Sequence, residues 1–266
     1  MSSEPEVVLH DDADQLAERT AERAVSALGL ALDERSEAHL VVTGGSILEA
    51  VLAGLVTATE RAPIDWSRVH VWWGDERYVP SGDDDRNDRP ARAKAFDHLR
   101  VSADHLHPMP ASDAGFGDDL DAAAASYAGE LAAAVAKSDA DDSDSDTAAD
   151  TDVPAFDVVL LGLGPDGHCA SLFPGHPGTR VSDASVIGVR ESPKPPPNRL
   201  SLTFPALDAA REIWVVASGD GKADAVARAL GGAPREEVPA AGARGTERTL
   251  WLIDRAAASR LRDRTG

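Results

Sequence analysis

Apolar residues in this chain gather into short unbroken runs, separated by longer stretches where they recur every three or four positions. Continuous runs of four to six suit strands buried on both faces, as in a parallel sheet. Such runs fall at 6–10, 38–43, 69–73, 156–161, 186–190, 199–203, 212–217 and 249–253. Asp11 or Asp12 is placed to cap a helix reaching about Leu28, with Ala17, Ala21, Ala24, Val25 and Leu28 on one face and Gly29 as its stop. Further helices are expected over 47–56, 89–99, 118–137 and 222–230, with a short one at the C-terminus. Strands alternating with helices predict an α/β fold: a mainly parallel sheet with helices on both faces, a Rossmann-like variant. The 266 residues bury a full core and are read as a single domain, 1–266.

The formal net charge of −20 opposes nucleic acid or an anionic membrane as partner. Part of it is local: 138–152 carries seven Asp and no Lys or Arg, which leaves −13 elsewhere and reads as a disordered acidic insert. Cys169 is the only cysteine, so an internal disulfide and a Cys-rich zinc site are both excluded. The start, Met1-Ser-Ser-Glu-Pro-Glu, lacks a signal-peptide pattern and no apolar run spans a membrane, so a cytoplasmic location is expected. An anionic substrate would need a basic cluster to overcome the general field.

In parallel α/β folds the strand C-termini share one sheet edge, and ligands bind there. Four runs end in chemically loaded loops: Gly44-Gly45-Ser46, Gly74-Asp75-Glu76-Arg77, the loop holding His168, and Gly219-Asp-Gly-Lys222. Gly44, Gly45 and Ser46 before a helix suit an anion, or else form a tight turn with Ser46 as N-cap. Asp75 and Arg77 gain weight from their place at a strand end, whereas Glu76 is read as satisfying backbone or a basic neighbour. Gly162-Leu-Gly-Pro-Asp-Gly167 has the spacing of a dinucleotide loop, but Pro174 cuts short the helix that motif requires, and Asp183 lies before a strand rather than at its end. A nucleotide site is therefore excluded, and His168 is read as a general acid–base. Cys169 is a packing residue, since adjacent side chains diverge. Lys194, Arg199 and Lys222 are the remaining cations near these loops.

Taken in order, Trp73-Gly-Asp-Glu-Arg-Tyr-Val-Pro80, Leu161-Gly-Leu-Gly-Pro-Asp-Gly-His-Cys-Ala-Ser-Leu-Phe-Pro174, Pro193-Lys-Pro-Pro-Pro-Asn-Arg-Leu-Ser-Leu-Thr203 and Gly221-Lys-Ala-Asp-Ala-Val226 resemble the bacterial 6-phosphogluconolactonase family over nearly the whole chain. That family shares its fold with glucosamine-6-phosphate deaminases and ribose-5-phosphate isomerases. The resemblance implies hydrolysis of 6-phospho-D-glucono-1,5-lactone in the oxidative pentose phosphate pathway, without metal or cofactor; a monomer or weak homodimer is expected. It implies phosphate at Gly44, Gly45, Ser46, Arg199 and Lys222, and His168 as the base that activates water. Arg77 would stabilise the oxyanion, with Asp75 holding it or a sugar hydroxyl, and either Asp75 or Asp166 would orient the catalytic groups. Ile47 and Leu48 depart from the usual Gly-Gly-Ser-Thr-Pro loop, and Cys169 replaces a threonine. An amino-sugar phosphate deaminase would place a glutamate five residues after the histidine; this chain has Phe173. A sugar-phosphate sensor of transcriptional type would need a DNA-binding extension, which the sequence lacks.

Overall fold

The computed structural model describes residues 4–141 and 152–261. The apolar runs become seven parallel strands in one sheet: β1 (Glu6–His10), β2 (Ala38–Val42), β3 (Val69–Trp73), β5 (Leu106–His107), β6 (Val158–Gly162), β9 (Glu212–Ala217) and β10 (Arg248–Asp254). Their spatial order is β1-β10-β9-β6-β2-β3-β5. From β2 the chain builds outward to β3 and β5, then returns to β6 and builds the other way through β9 and β10. The β2–β6 boundary is thus a topological switch point, where the strand ends leave a crevice.

Helices α1 (Ala13–Glu34), α2 (Ser46–Arg61), α4 (Leu120–Asp141) and α6 (Ala223–Leu230) cover the sheet, with short α3 (Asp88–Ala91) and α5 (Phe204–Asp208) beside it. Trp72, Trp73, Trp214 and Trp251 are fully buried on the strands, within one continuous apolar cluster. Asp12 caps α1 by accepting from the Gln15 amide at 2.9 Å. Gly29 does not stop that helix. It sits where a Cβ would come within 3.1 Å of Ile64, so the glycine serves close packing and α1 runs one and a half turns further.

Three short strands make a second, antiparallel sheet in the order β4-β8-β7: β4 (Asp75–Arg77), β8 (Arg199–Leu202) and β7 (Val186–Val189). Gly74 joins the two sheets. Its N–H donates to the Val42 carbonyl and its own carbonyl accepts from Leu202 N–H, both at 2.8 Å, and a Cβ there would strike Thr43 at 2.8 Å. The stretch expected as a loop after Trp73 is therefore a strand that carries Asp75, Glu76 and Arg77 across from the large sheet. The helix expected at 89–99 is broken. After α3 it widens into a turn at Arg92–Phe96, closed by Asp97 N–H donating to the Arg92 carbonyl at 2.9 Å. The expected terminal helix is a series of turns over 255–260. Of the acidic segment 138–152, residues 138–141 continue α4, and 142–151 lie outside the described residues. No described helix is long and apolar enough to cross a membrane.

Candidate active site

The C-terminal ends of β2, β3, β6 and β9 open into a cleft of about 530 Å³. Gly44, Gly45 and Ser46 line one side of it, Asp75, Arg77 and Arg199 another, and His168 and Lys222 the remainder. The structure thus gathers all eight residues singled out from sequence. It also adds Lys194, to which the sequence assigns no role.

The first wall is the entry to α2. Gly45 stands at its N-cap with φ 126°, a conformation that side chains resist, and nothing lies within 4 Å of where its Cβ would be. No side chain caps the helix, so Ser46 is the first helical residue rather than the cap. The leading amides of a 16-residue helix therefore face the cleft with a favourable dipole. Gly44 is fixed from behind: a Cβ there would lie 2.1 Å from Asn87 Oδ1. Asn87 in turn donates through Nδ2 to the Asp75 carbonyl at 3.0 Å.

Beneath this wall lies Glu76, fully buried. Its carboxylate accepts from the amides of Arg77 at 2.8 Å, Asn87 at 2.6 Å and Asp88 at 2.9 Å, and faces Arg86 at 3.6 Å. Burial pushes this carboxyl up to about 7 against the pull of Arg86 and the amides of Asn87 and Asp88. Glu76 is a buried brace that holds the 86–88 turn under Gly44.

The glycine-rich loop after β6 owes its spacing to packing. A Cβ at Gly162 would lie 3.0 Å from the Gly44 carbonyl, and one at Gly164 would lie 1.9 Å from His168 Nδ1. Gly167 turns with φ 92° against Val238. All three glycines of the formal dinucleotide pattern are thereby accounted for by close contacts of the backbone with its neighbours, the imidazole among them.

His168 is held at Nδ1, 2.5 Å from Asp166 Oδ1, and its ring leans on Phe173 with centroids 4.7 Å apart. The carboxylate only accepts, so it fixes the proton on Nδ1 and leaves Nε2 as the basic nitrogen. Burial opposes ionisation of Asp166, but the hydrogen bond and charge of His168 and the charge of Lys194 outweigh it and hold the carboxyl well below the usual range. Lys194 Nζ lies 3.2 Å from His168 Nδ1 and 3.4 Å from Asp166 Oδ1. Asp166, not Asp75, is therefore the carboxylate that orients the histidine.

Asp75 does something else. Its Oδ2 accepts from the Ser171 hydroxyl at 2.8 Å, tying β4 to the His168 loop. The expectation that it holds Arg77 is corrected, because Arg77 Nη1 instead donates to the Asp85 carbonyl at 2.7 Å. Arg77 Nε is buried with no hydrogen-bond partner among the described residues. Arg199 is its cross-strand neighbour, buried, and mostly committed. Its Nε donates to the Pro196 carbonyl, and its Nη2 to the carbonyls of Lys194 and Pro195 at 3.1 Å each. Arg199 thus clamps the proline-rich loop that carries Lys194, while its guanidinium lies over the Phe173 ring at 5.7 Å. Burial first, then the charge of Lys194, lowers Lys222 despite the pull of Asp166. Among the described residues Lys222 makes no ion pair or side-chain hydrogen bond, so it is a free cation at the cleft. Cys169 is fully buried with its thiol pushed far up, mainly by burial, as a packing residue should be.

A parallel α/β sheet that presents an oriented histidine, an open helix N-terminus and lysines at one edge has the makings of an enzyme site for an anionic substrate. The chain belongs to the family of glucosamine-6-phosphate isomerases and 6-phosphogluconolactonase, whose model matches residues 11–251. It is 49% identical to a 6-phosphogluconolactonase of Streptomyces coelicolor over 98% of this chain and 96% of that one. A 6-phosphogluconolactonase of Mycobacterium tuberculosis is 47% identical, over 98% and 99% of the two chains. Among solved structures, the 6-phosphogluconolactonase of Thermotoga maritima superposes with a TM-score of 0.76 at 26% identity, covering 94% of this chain and 99% of its own.

Proposed function

We propose that this chain hydrolyses 6-phospho-D-glucono-1,5-lactone to 6-phosphogluconate, with His168 as general base. The observation that carries the mechanism is the 2.5 Å contact of Asp166 with His168 Nδ1, which leaves Nε2 as the free nitrogen of a histidine that lines the cleft. Nε2 removes a proton from water as its oxygen adds to the lactone carbonyl carbon. The carbonyl electrons move onto oxygen, and the oxyanion that forms is met by the guanidinium of Arg77, which lines the cleft. When the oxyanion collapses, the bond to the ring oxygen breaks, and the imidazolium returns its proton to that oxygen as it becomes a hydroxyl. The new carboxylic acid ionises and releases one proton to solvent.

The phosphate sits at the α2 N-terminus with Gly44, Gly45, Ser46 and Lys222. Strands β2 and β9 flank β6, so the loops that follow them converge over its end. Arg199 serves this arrangement indirectly, by clamping the loop of Lys194. Phe173 supports a lactonase over an amino-sugar deaminase: it fills with an apolar ring the position where the deaminase reaction would use a carboxylate. Fresh lactone mixed with the purified protein should release acid faster than the spontaneous background. No acceleration would sink the enzymatic reading, and an unchanged rate in His168→Ala would sink the role given to that residue.

A further inference from the structure

Four of the eight histidines stand together away from the cleft. His39 and His70 are the second residues of β2 and β3, His107 closes β5, and His105 lies in the turn just before it. They mark the N-terminal edge of the sheet, opposite the end that carries His168. Their rings are stacked: His105 on His70 with centroids 3.8 Å apart, and His107 on Trp72 at 3.7 Å.

The hydrogen bonds fix the tautomers. Glu130 Oε1, from α4, lies 2.6 Å from His107 Nδ1, and a carboxylate only accepts, so His107 donates from Nδ1. With Nδ1 donating, His107 accepts at Nε2 from His70 Nδ1, 2.9 Å away. His70 is left with a lone pair on Nε2, and Glu37 Oε2 lies 3.1 Å from that atom. Two lone pairs facing each other at this distance repel, and a cation between them removes the conflict. His105 supplies a third donor. One ligand atom each from Glu37, His70 and His105 lies within 4.8 Å of the others, and His105 Nδ1 is buried with no hydrogen-bond partner among the described residues. Glu37 is exposed, so its carboxylate has room to move onto an ion.

We propose that Glu37, His70 and His105 bind one zinc-class divalent cation, which clips together the N-terminal ends of β2, β3 and the segment entering β5. Two imidazole nitrogens and a carboxylate oxygen suit zinc better than magnesium or calcium, which favour all-oxygen shells. The His70–His107–Glu130 chain is the outer support that metal-bound histidines characteristically have, a ring N–H donated onward toward a carboxylate. The site is a staple remote from the reaction.

The test uses the full chain stripped with a chelator and titrated with zinc chloride by calorimetry, with thermal melts alongside. One equivalent should bind and raise Tm, and magnesium in excess should not displace it. Glu37→Gln and His105→Gln should each weaken zinc binding about tenfold or more. Glu130→Gln, which cannot touch the ion, should weaken it by roughly 10- to 100-fold through the relay. Circular dichroism of the metal-free variants checks that each is folded. Absence of a stoichiometric site would overturn the proposal and leave a proton on His70 as the occupant. So would an equivalent that survives both Glu37→Gln and His105→Gln but disappears in His168→Ala, since the ion would then be in the cleft.

Discussion

Replacing Asp166 with asparagine isolates the carboxylate's charge from its place. With its oxygen toward the ring, the introduced amide accepts the His168 Nδ1 proton as Asp166 does, and Nε2 remains the basic nitrogen. What changes is the field. Lys194 Nζ lies 3.2 Å from His168 Nδ1, and Asp166 is the anion that offsets it when the imidazolium forms. Two unit charges about 4 Å apart at an effective dielectric near 20 interact by about 4 kcal/mol. The side chains of Lys194 and Asp166 are 38% and 35% exposed, so solvent screening takes roughly half and leaves about 2 kcal/mol. At about 1.36 kcal/mol for each factor of ten, kcat should fall about 30-fold.

The assay is stopped-flow acid release from freshly prepared lactone in weak buffer with an indicator dye, subtracting the spontaneous rate measured in parallel. Lys194→Met placed in the Asp166→Asn background removes the unbalanced ammonium and should restore most of kcat. The reasoning is refuted if Asp166→Asn leaves kcat unchanged, or if adding Lys194→Met recovers none of the loss.

Three other outcomes follow from the same geometry. Lys222→Ala should raise KM about tenfold with kcat nearly constant, as expected for a phosphate contact equal in ground and transition states; steady-state kinetics decide it. Gly164→Ala puts a Cβ 1.9 Å from His168 Nδ1, so kcat should fall at least about 100-fold, the scale of general-base help, while far-ultraviolet circular dichroism stays native. Burial lifts Glu76 from 4.5 to about 7, so the folded chain holds a proton there that the unfolded chain lacks in between. Its contribution is present below about pH 4.5 and lost as pH rises to about 7, worth roughly 3 kcal/mol at about 1.36 kcal/mol per pH unit. Urea unfolding across that window should show the slope in the parent protein, and Glu76→Gln should lack it.

The large sheet was legible because its central strands are buried on both faces and therefore read as continuous apolar runs, as at β3 and β9. Gly29 misled for a tertiary reason: Ile64 packs close against it in a place where local preference alone reads a stop. Strands β4 and β5 are three and two residues long and carry charged or imidazole side chains, so no hydrophobic period marks them. Glu76 was readable as a backbone-satisfying residue because a charge directly after a tryptophan-rich strand has little solvent to face. Asp75 and Asp166 were equal candidates to orient His168, since chain distance does not say which carboxylate meets Nδ1.

Lys194 shows why a cleft assembled from two sheets resists reading along one chain. Its neighbours Pro193, Pro195, Pro196 and Pro197 mark a rigid loop, yet nothing in that tract points at His168. The connection runs through Arg199, whose guanidinium takes the carbonyls of residues 194, 195 and 196 and so fixes the loop's path. Arg199 is itself placed by β8, which pairs with β4 in register Arg77↔Arg199. Strand β4 begins just after Gly74, which hydrogen-bonds to both sheets where the chain leaves the large one. A basic residue seen in sequence as a phosphate ligand is thus committed mainly to backbone carbonyls, and the lysine it positions is the one that touches the histidine. The consequence can be checked. Arg199→Lys keeps the charge but loses the fork that grips the carbonyls, so it should lower kcat more than KM rises. A pure KM effect would return Arg199 to the phosphate.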